Sequence, residues 1–157
     1  MQFRKIEEPS GSQDYIKLKD KESIVGIFIG ELYEFYSVFE NKKPREVPEG
    51  TDGARFRFRV NFVVKDGPTF TPKIFENSAT VYRQLEELHT EYDGLDTIYV
   101  KITRNGEGLD TTYSILPSKQ PPKKEELAHI KTLKLHDLTN RKSESNGSLE
   151  LNDDLPF

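Results

Sequence analysis

Several kinds of residue are missing from this chain of 157 residues, and their absence excludes whole classes of chemistry. There is no cysteine, which excludes disulfides, thiolate metal sites and cysteine nucleophiles. The three histidines, His89, His129 and His136, lack the spacing of metal ligands, so we expect no metal and no cofactor. We find no paired-carboxylate motif with a nearby lysine, no clustered histidine base and no phosphate loop. The sequence therefore predicts no catalytic residues and no enzyme.

Long apolar stretches are missing as well. Nothing near Met1 resembles a signal peptide, and no apolar run approaches the roughly 20 residues of a membrane span. We therefore expect a cytoplasmic protein with no membrane partner. Hydrophobic residues make up 34% of the chain and charged residues 32%, which is polar for a fully folded protein, so some disorder is expected.

Basic residues are missing from the end of the chain. Four of the 27 acidic residues follow Lys142 and no basic residue does, so residues 1–142 hold 23 basic and 23 acidic residues. The net charge of -4 therefore belongs entirely to the last residues. A neutral body can still present one basic face, and the difference between the two segments is the informative quantity.

The hydrophobic periodicity of the body predicts strands and helices in a definite order. The first predicted element is a long strand over 15–39 that bends at Gly26 or Gly30, and a loop over 41–54 follows it. Strands over 55–65 and 69–75 come next, and then a helix that begins at a cap, Asn77 or Ser78, and ends at Gly94. The last predicted elements are strands over 97–104 and 111–116 and a helix over 123–138. Five strands with one helix between the third and the fourth predict a mainly β OB-fold, a five-stranded Greek-key barrel.

This order divides the chain into four parts. The sequence predicts a flexible N-terminal arm over 1–13 and an OB-fold domain over 14–118. A helical extension is predicted over 119–138, and a disordered acidic tail over 139–157.

The clearest alternation is that of the strand over 55–65. Period two places Phe56, Phe58, Val60 and Phe62 on one face and Arg55, Arg57, Arg59 and Asn61 on the other. Alternate residues lie about 6.5–7 Å apart, close to the spacing of phosphates in an extended strand. OB-folds bind single strands across their second and third strands, with help from the neighbouring loops.

That geometry predicts a set of basic and aromatic binding residues. Their rings would stack on bases, and their cations would bind the phosphate backbone of the nucleic acid. The predicted single-strand-binding residues are Lys42, Lys43, Arg45, Arg55, Arg57, Arg59, Lys73, Phe75, Tyr99, Lys101, Arg104 and Tyr113. A half-buried strand with a basic wet side would show the same alternation. Core packing explains Phe75, Tyr99 and Tyr113 equally well, and the Lys42–Arg45 cluster could be a solvated loop.

The chain ends in Asp153-Asp154-Leu155-Pro156-Phe157. This ending resembles the acidic tip of bacterial single-stranded DNA-binding proteins, usually written Asp-Asp-Asp-Ile-Pro-Phe, with Asn152 in place of one acid. The resemblance implies a protein that coats and protects single-stranded DNA in replication, recombination and repair. It also implies that residues 153–157 recruit partner proteins such as nucleases, helicases, primase and polymerase subunits.

The body differs from the standard bacterial family, because tryptophan is absent. Residues 102–117 and the small single-domain layout look more like phage-encoded members, which would act in the host cytoplasm. This difference puts the family's tetramer in doubt, and the oligomeric state, including a homo-oligomer, stays open.

The tip also has a physical argument of its own. The ring of Phe157 can fill an apolar pocket while a partner arginine takes its carboxylate, and Asp153 and Asp154 would meet a basic rim. The acidic tail could also compete with DNA for a basic groove, so removing residues 143–157 should tighten binding at low salt. Two alternatives remain open, an RNA-binding OB module and a decoy that occupies tail-binding pockets on repair enzymes.

Overall fold

The computed structural model describes residues 14–139, and β-strands dominate it. The elements are β1 (Ser23–Glu40), β2 (Lys43–Val47), β3 (Arg55–Asp66), β4 (Thr69–Ser78), α1 (Ala79–Tyr92), β5 (Val100–Asn105), β6 (Thr112–Pro117) and α2 (Lys124–Lys131). One antiparallel sheet contains all six strands in the order β4-β3-β1-β5-β6, with β2 paired to β1. The mainly β prediction is confirmed. No helix within residues 14–139 is long and apolar enough to cross a membrane.

The two ends of the sheet, β4 and β6, approach each other without pairing. Within the described residues no ladder joins them, so the closed barrel of the OB prediction is not confirmed. The chain before β1 crosses part of this gap, because Ile16 N donates to Ile74 O at 2.9 Å on β4. The rings of Phe75 on β4 and Tyr113 on β6 meet edge to face with centroids 6.4 Å apart. The sheet is therefore strongly curved but open.

Strand β1 bends where the sequence predicts it. Its register with β3 shifts between Ile29 and Tyr33, and Gly30 has a φ of 85°, which a side chain would make costly. Gly26, the other predicted bend, is instead a packing position. A side chain there would collide with the Val63 carbonyl and the Phe62 ring.

Helix α1 also follows the prediction closely. Ser78 occupies the N-cap position, and Val81, Leu85 and Leu88 are the buried residues of the helix. Asp93 adopts the left-handed conformation and ends the helix one residue before Gly94. The helix buries its apolar side against the concave face of the sheet, the inner face.

Two apolar layers lie on opposite faces of the sheet. The inner core contains Phe28, Phe58, Val60, Phe62, Phe75, Val100, Ile102 and Ile115 together with α1. On the other face, the outer face, Ile130 of α2 packs against Ile27, Val63 and Tyr99. Burying each such side chain contributes about 1.5–3 kcal/mol. A sheet covered on both faces leaves little of β3 exposed, although the sequence predicts Arg55, Arg57 and Arg59 to be accessible there.

Several elements differ from the sequence prediction. The long strand predicted over 15–39 begins only at Ser23, because residues 16–22 form no strand. The predicted loop over 41–54 contains β2, because Asn41 and Lys42 take φ values of 51° and 64° and form a tight hairpin with β1. The predicted helix over 123–138 ends at Lys131. Residues 132–139 are not helical and run across the outer face of the sheet; we call this segment the strap.

Candidate nucleic-acid interface

The outer face of β1 and β3 places aromatic and cationic side chains opposite one another. The register pairs Tyr33 with Arg59, Phe35 with Arg57, and Ser37 with Arg55. Residues directly opposite in an antiparallel pair share a face and contact each other. We call the surface formed by Tyr33, Phe35, Arg55, Arg57 and Arg59 the arginine face.

Arg59 lies at the most enclosed end of this face. Its guanidinium carbon is 4.3 Å from the centroid of the Phe35 ring and 5.4 Å from that of Tyr33. Its Nε donates to Glu76 Oε1 at 2.9 Å, and its Nη1 donates to the Leu138 carbonyl at 2.9 Å. Arg59 is 0% exposed, so the prediction that it faces solvent is wrong. Arg59 does lie on the opposite face of β3 from Phe58 and Val60, as the alternation predicts.

The other two arginines are also less exposed than the alternation predicts. Arg57 is buried, and its Nη2 lies 3.4 Å from Glu76 Oε2, so Glu76 pairs with both Arg57 and Arg59. Arg55 is half-buried, and its Nη1 is a buried donor with no hydrogen-bond partner within the described chain. An anionic oxygen at that position would satisfy it.

The strap covers the arginine face next to Arg59. Asn61 Nδ2 donates to the His136 carbonyl at 3.0 Å, and its Oδ1 accepts from His136 N at 2.8 Å. This side-chain amide therefore pairs with the strap as a neighbouring strand would. Leu138 is 9% exposed and packs with Tyr15 and Ile74. The strap thus occupies a donor of Arg59, which the sequence predicts for nucleic acid.

The β1–β2 hairpin extends beyond the covered region. The predicted cations Lys42, Lys43 and Arg45 are all exposed there. Arg45 Nε lies 2.9 Å from Glu40 Oε1, and this ion pair lowers the pKa of the Glu40 carboxyl. Phe39 is 42% exposed and continues the outer-face series of β1 residues two positions apart. The hairpin is therefore the accessible end of the arginine face.

Arg104 serves a structural role instead of lining an interface. It is 4% exposed, and its guanidinium donates to Leu18 O at 2.9 Å, Thr111 Oγ1 at 3.2 Å and Gly106 O at 3.3 Å. These bonds tie the β5–β6 hairpin to the turn before β1. The prediction of an accessible cation at Arg104 is wrong.

The predicted stacking rings are packed in the two apolar layers. Phe75 is 3% exposed in the inner core, and the half-buried Tyr113 packs against it. Tyr99 is buried beneath α2, and its hydroxyl donates to Glu126 Oε1 at 3.0 Å. Burial and this hydrogen bond raise the pKa of Tyr99. None of the three offers an open ring to a base in this conformation.

The two remaining predicted lysines lie apart from the arginine face. Lys101 is exposed on β5, where it pairs with Val25 and Leu116. Lys73 is half-buried on β4 and pairs with Phe62, which places it on the inner face. Of the twelve predicted residues, the structure therefore brings Arg55, Arg57 and Arg59 together, with the hairpin cations at one end.

Two aromatic residues of the candidate interface were not predicted from the sequence. Tyr33 and Phe35 stack with centroids 5.6 Å apart and planes inclined by 29°. The signal was the series Tyr33, Phe35, Ser37 and Phe39 at alternate positions, which places three rings on one face of β1. The counterion Glu76 could not be found this way, because its pairing with Arg59 depends on the β3–β4 register.

The predicted partner-docking residues Asp153, Asp154, Leu155, Pro156 and Phe157 lie outside the described residues, as does the arm over 1–13. Among residues 14–139, no group of three or more histidine, cysteine, aspartate or glutamate side chains could hold a metal ion. Comparisons of the chain with protein-family models, with curated proteins and with solved structures returned no match.

Proposed function

We propose that this protein binds single-stranded DNA across the arginine face, as a phage-type single-stranded DNA-binding protein with an OB-like fold. The observation that carries the proposal is the direct cross-strand pairing of Tyr33 with Arg59 and Phe35 with Arg57. The sheet order supports the OB-like topology. With β2 treated as an addition to the first hairpin, the five remaining strands and α1 occur in the OB order.

The arginine face combines the two kinds of contact that single-strand binding needs. Rings such as Tyr33 and Phe35 stack on bases of any sequence, and each stacked base contributes about 1–3 kcal/mol. Guanidinium groups bind phosphate oxygens through two parallel hydrogen bonds. Arg55, with a buried donor that lacks an acceptor among the described residues, is the first candidate for such a contact. The hairpin cations remain predicted contacts at the entrance.

In this proposal, DNA and the strap compete for the same surface. The Leu138 carbonyl takes a donor of Arg59 that a phosphate oxygen would otherwise take. Base stacking on Tyr33 and Phe35 likewise requires that the side chains packed over them move aside. The described conformation is then the DNA-free one, and the observed affinity is the intrinsic affinity reduced by the fraction of molecules whose strap is undocked.

The test is fluorescence anisotropy of a labelled oligo-dT with Arg55→Gln, Arg55→Lys and wild type, across a salt series. Arg55→Gln should weaken binding about tenfold and lower the salt slope by about one, whereas Arg55→Lys should retain most of the salt slope. Arg83→Gln, which removes an exposed cation from α1, is the matched control and should bind like wild type. Wild-type affinity and salt slope in a folded Arg55→Gln variant would overturn the proposed site.

The arginine face does not by itself distinguish DNA from RNA, so the same titration includes an oligo-rU of equal length. Tighter binding to oligo-rU would favour the RNA-binding alternative.

We further propose that the tip over 153–157 recruits replication, recombination and repair proteins. Deleting Phe157 should abolish binding to a purified tail-binding repair exonuclease and leave oligo-dT binding by the body intact. Exonuclease binding by a wild-type chain that fails to bind either oligonucleotide would favour the decoy alternative.

A further inference from the structure

A cavity of about 460 Å³ lies between β1 and α1, away from the arginine face. Its floor is apolar and includes Phe28, Val60 and Leu85. Its rim is acidic and includes Glu31, Glu86 and Asp96. No lysine or arginine lines it, so the cavity is suited to an apolar side chain flanked by positive charges.

The bend in β1 opens this cavity. The ladder with β3 is interrupted between Ile29 and Tyr33, so Gly30, Glu31 and Leu32 are not paired with β3. Leu32 is 38% exposed at the cavity mouth, which adds apolar surface to the rim. The bend therefore presents apolar surface and a negative charge together, whereas a continuous ladder would have kept β1 against β3.

The β1–β2 hairpin has the complementary character. Phe39 is 42% exposed beside the turn, and the three cations Lys42, Lys43 and Arg45 outnumber the two acids of the hairpin, Glu40 and Glu46. The positive φ values of Asn41 and Lys42 define a tight turn, so little conformational entropy is lost when the tip is bound. The β1–β2 hairpin is therefore a projecting element with an exposed ring and a positive charge.

The hairpin cannot reach the cavity of its own chain. Leu32 at the cavity mouth and Phe39 lie seven residues apart on the same strand, which separates them by about 23 Å at 3.3 Å per residue. A contact between the two surfaces must therefore join different molecules. Because the surfaces differ, the contact is head to tail and leaves a free hairpin at one end and a free cavity at the other.

We propose that the β1–β2 hairpin of one copy of this chain docks into the acidic cavity of the next. Phe39 contacts the apolar floor, and Lys42 and Lys43 approach Glu31 and Glu86. So small an interface is weak between free molecules, and binding of adjacent copies to one DNA strand strengthens it by raising their effective concentration. Self-association is independent of the proposed function, but its use in coating DNA rests on that function.

Sedimentation velocity of full-length protein tests the contact, from micromolar to millimolar concentration. The hairpin variant is Lys42→Ser with Lys43→Ser, and the cavity variant is Glu31→Gln with Glu86→Gln. Wild type should form species larger than dimers as its concentration rises, whereas each variant alone should stay monomeric. An equimolar mixture of the two variants should form a 1:1 dimer and nothing larger, because only one intact hairpin and one intact cavity meet.

Glu107→Gln with Lys119→Ser changes two exposed charges elsewhere and should associate like wild type. A wild type that remains monomeric throughout would overturn the proposal, as would a mixture that forms no dimer. Binding to an oligo-dT long enough for one copy provides the separate readout for the proposed function. Loss of that binding in wild type would refute DNA binding and leave the sedimentation result intact. The cavity variant, whose changes lie away from the arginine face, should bind this oligo-dT like wild type.

Discussion

Replacing Leu138 with alanine tests whether the strap and single-stranded DNA compete for the arginine face. Leu138 is 9% exposed and packs with Tyr15 and Ile74, while its carbonyl accepts the bond from Arg59. The substitution keeps that carbonyl and removes the apolar contact. The strap should therefore dock less often while the arginines remain unchanged.

The magnitude follows from the burial of this side chain. Leucine-to-alanine substitutions in protein cores cost about 2–5 kcal/mol, and a residue in a peripheral segment belongs near the lower end of about 2 kcal/mol. Each 1.4 kcal/mol corresponds to a factor of ten, so the undocked fraction should rise by roughly 25-fold. If DNA binds only the undocked form, the affinity for a short oligo-dT should increase by up to that factor.

Anisotropy titration measures the affinity, and hydrogen exchange of the amides over 133–139 measures strap docking in the same samples. Leu88→Ala is the matched control, because Leu88 is 8% exposed on α1 and lies in the inner core instead of under the strap. It should lower stability without tightening binding. If Leu138→Ala loses strap protection and binds no more tightly than wild type, competition between strap and DNA is refuted.

Three further predictions follow from single side chains. Arg104→Lys should lower the free energy of unfolding, measured in urea, by about 3 kcal/mol, because buried acceptors lose their donors. The folded fraction of this variant should bind DNA like wild type. Weaker DNA binding without a loss of stability would contradict this prediction. Glu76→Gln should lower the free energy of unfolding by about 3–5 kcal/mol in the same assay, because it leaves two buried arginines without their shared carboxylate. Unchanged stability would show that these ion pairs make no net contribution to it. The hydrogen bond to Glu34, then burial, raise the pKa of Tyr82 from 10.0 to about 12. Because the pKa of Tyr82 is higher in the folded state, the stability that its neutral hydroxyl contributes is complete below pH 10 and is lost as the pH rises towards 12. Tyr82→Phe should therefore lose less stability than wild type over this pH range. Equal losses in the two proteins would contradict the prediction.

The sequence alone determined those features that depend on neighbours along the chain. Period two assigned Phe58 and Arg59 to opposite faces of one strand, and this assignment is confirmed because alternation is a local property of extended backbone. The helix start at Ser78 and the bend at Gly30 were also predictable, although the Ser78 side chain makes no cap hydrogen bond. They depend on the conformations that individual residues allow.

Tertiary structure alone decided which of these faces is exposed. Arg59 is buried because the strap returns to it, and the bond between Asn61 and His136 joins residues 75 positions apart. Arg104 is buried for the same reason, since Leu18 reaches it across 86 positions. Periodicity describes one strand at a time and holds no information about a distant segment that covers it. The faces were therefore readable from the sequence, and the covering of Arg59 by the strap was not, because burial depends on contacts between distant parts of the chain.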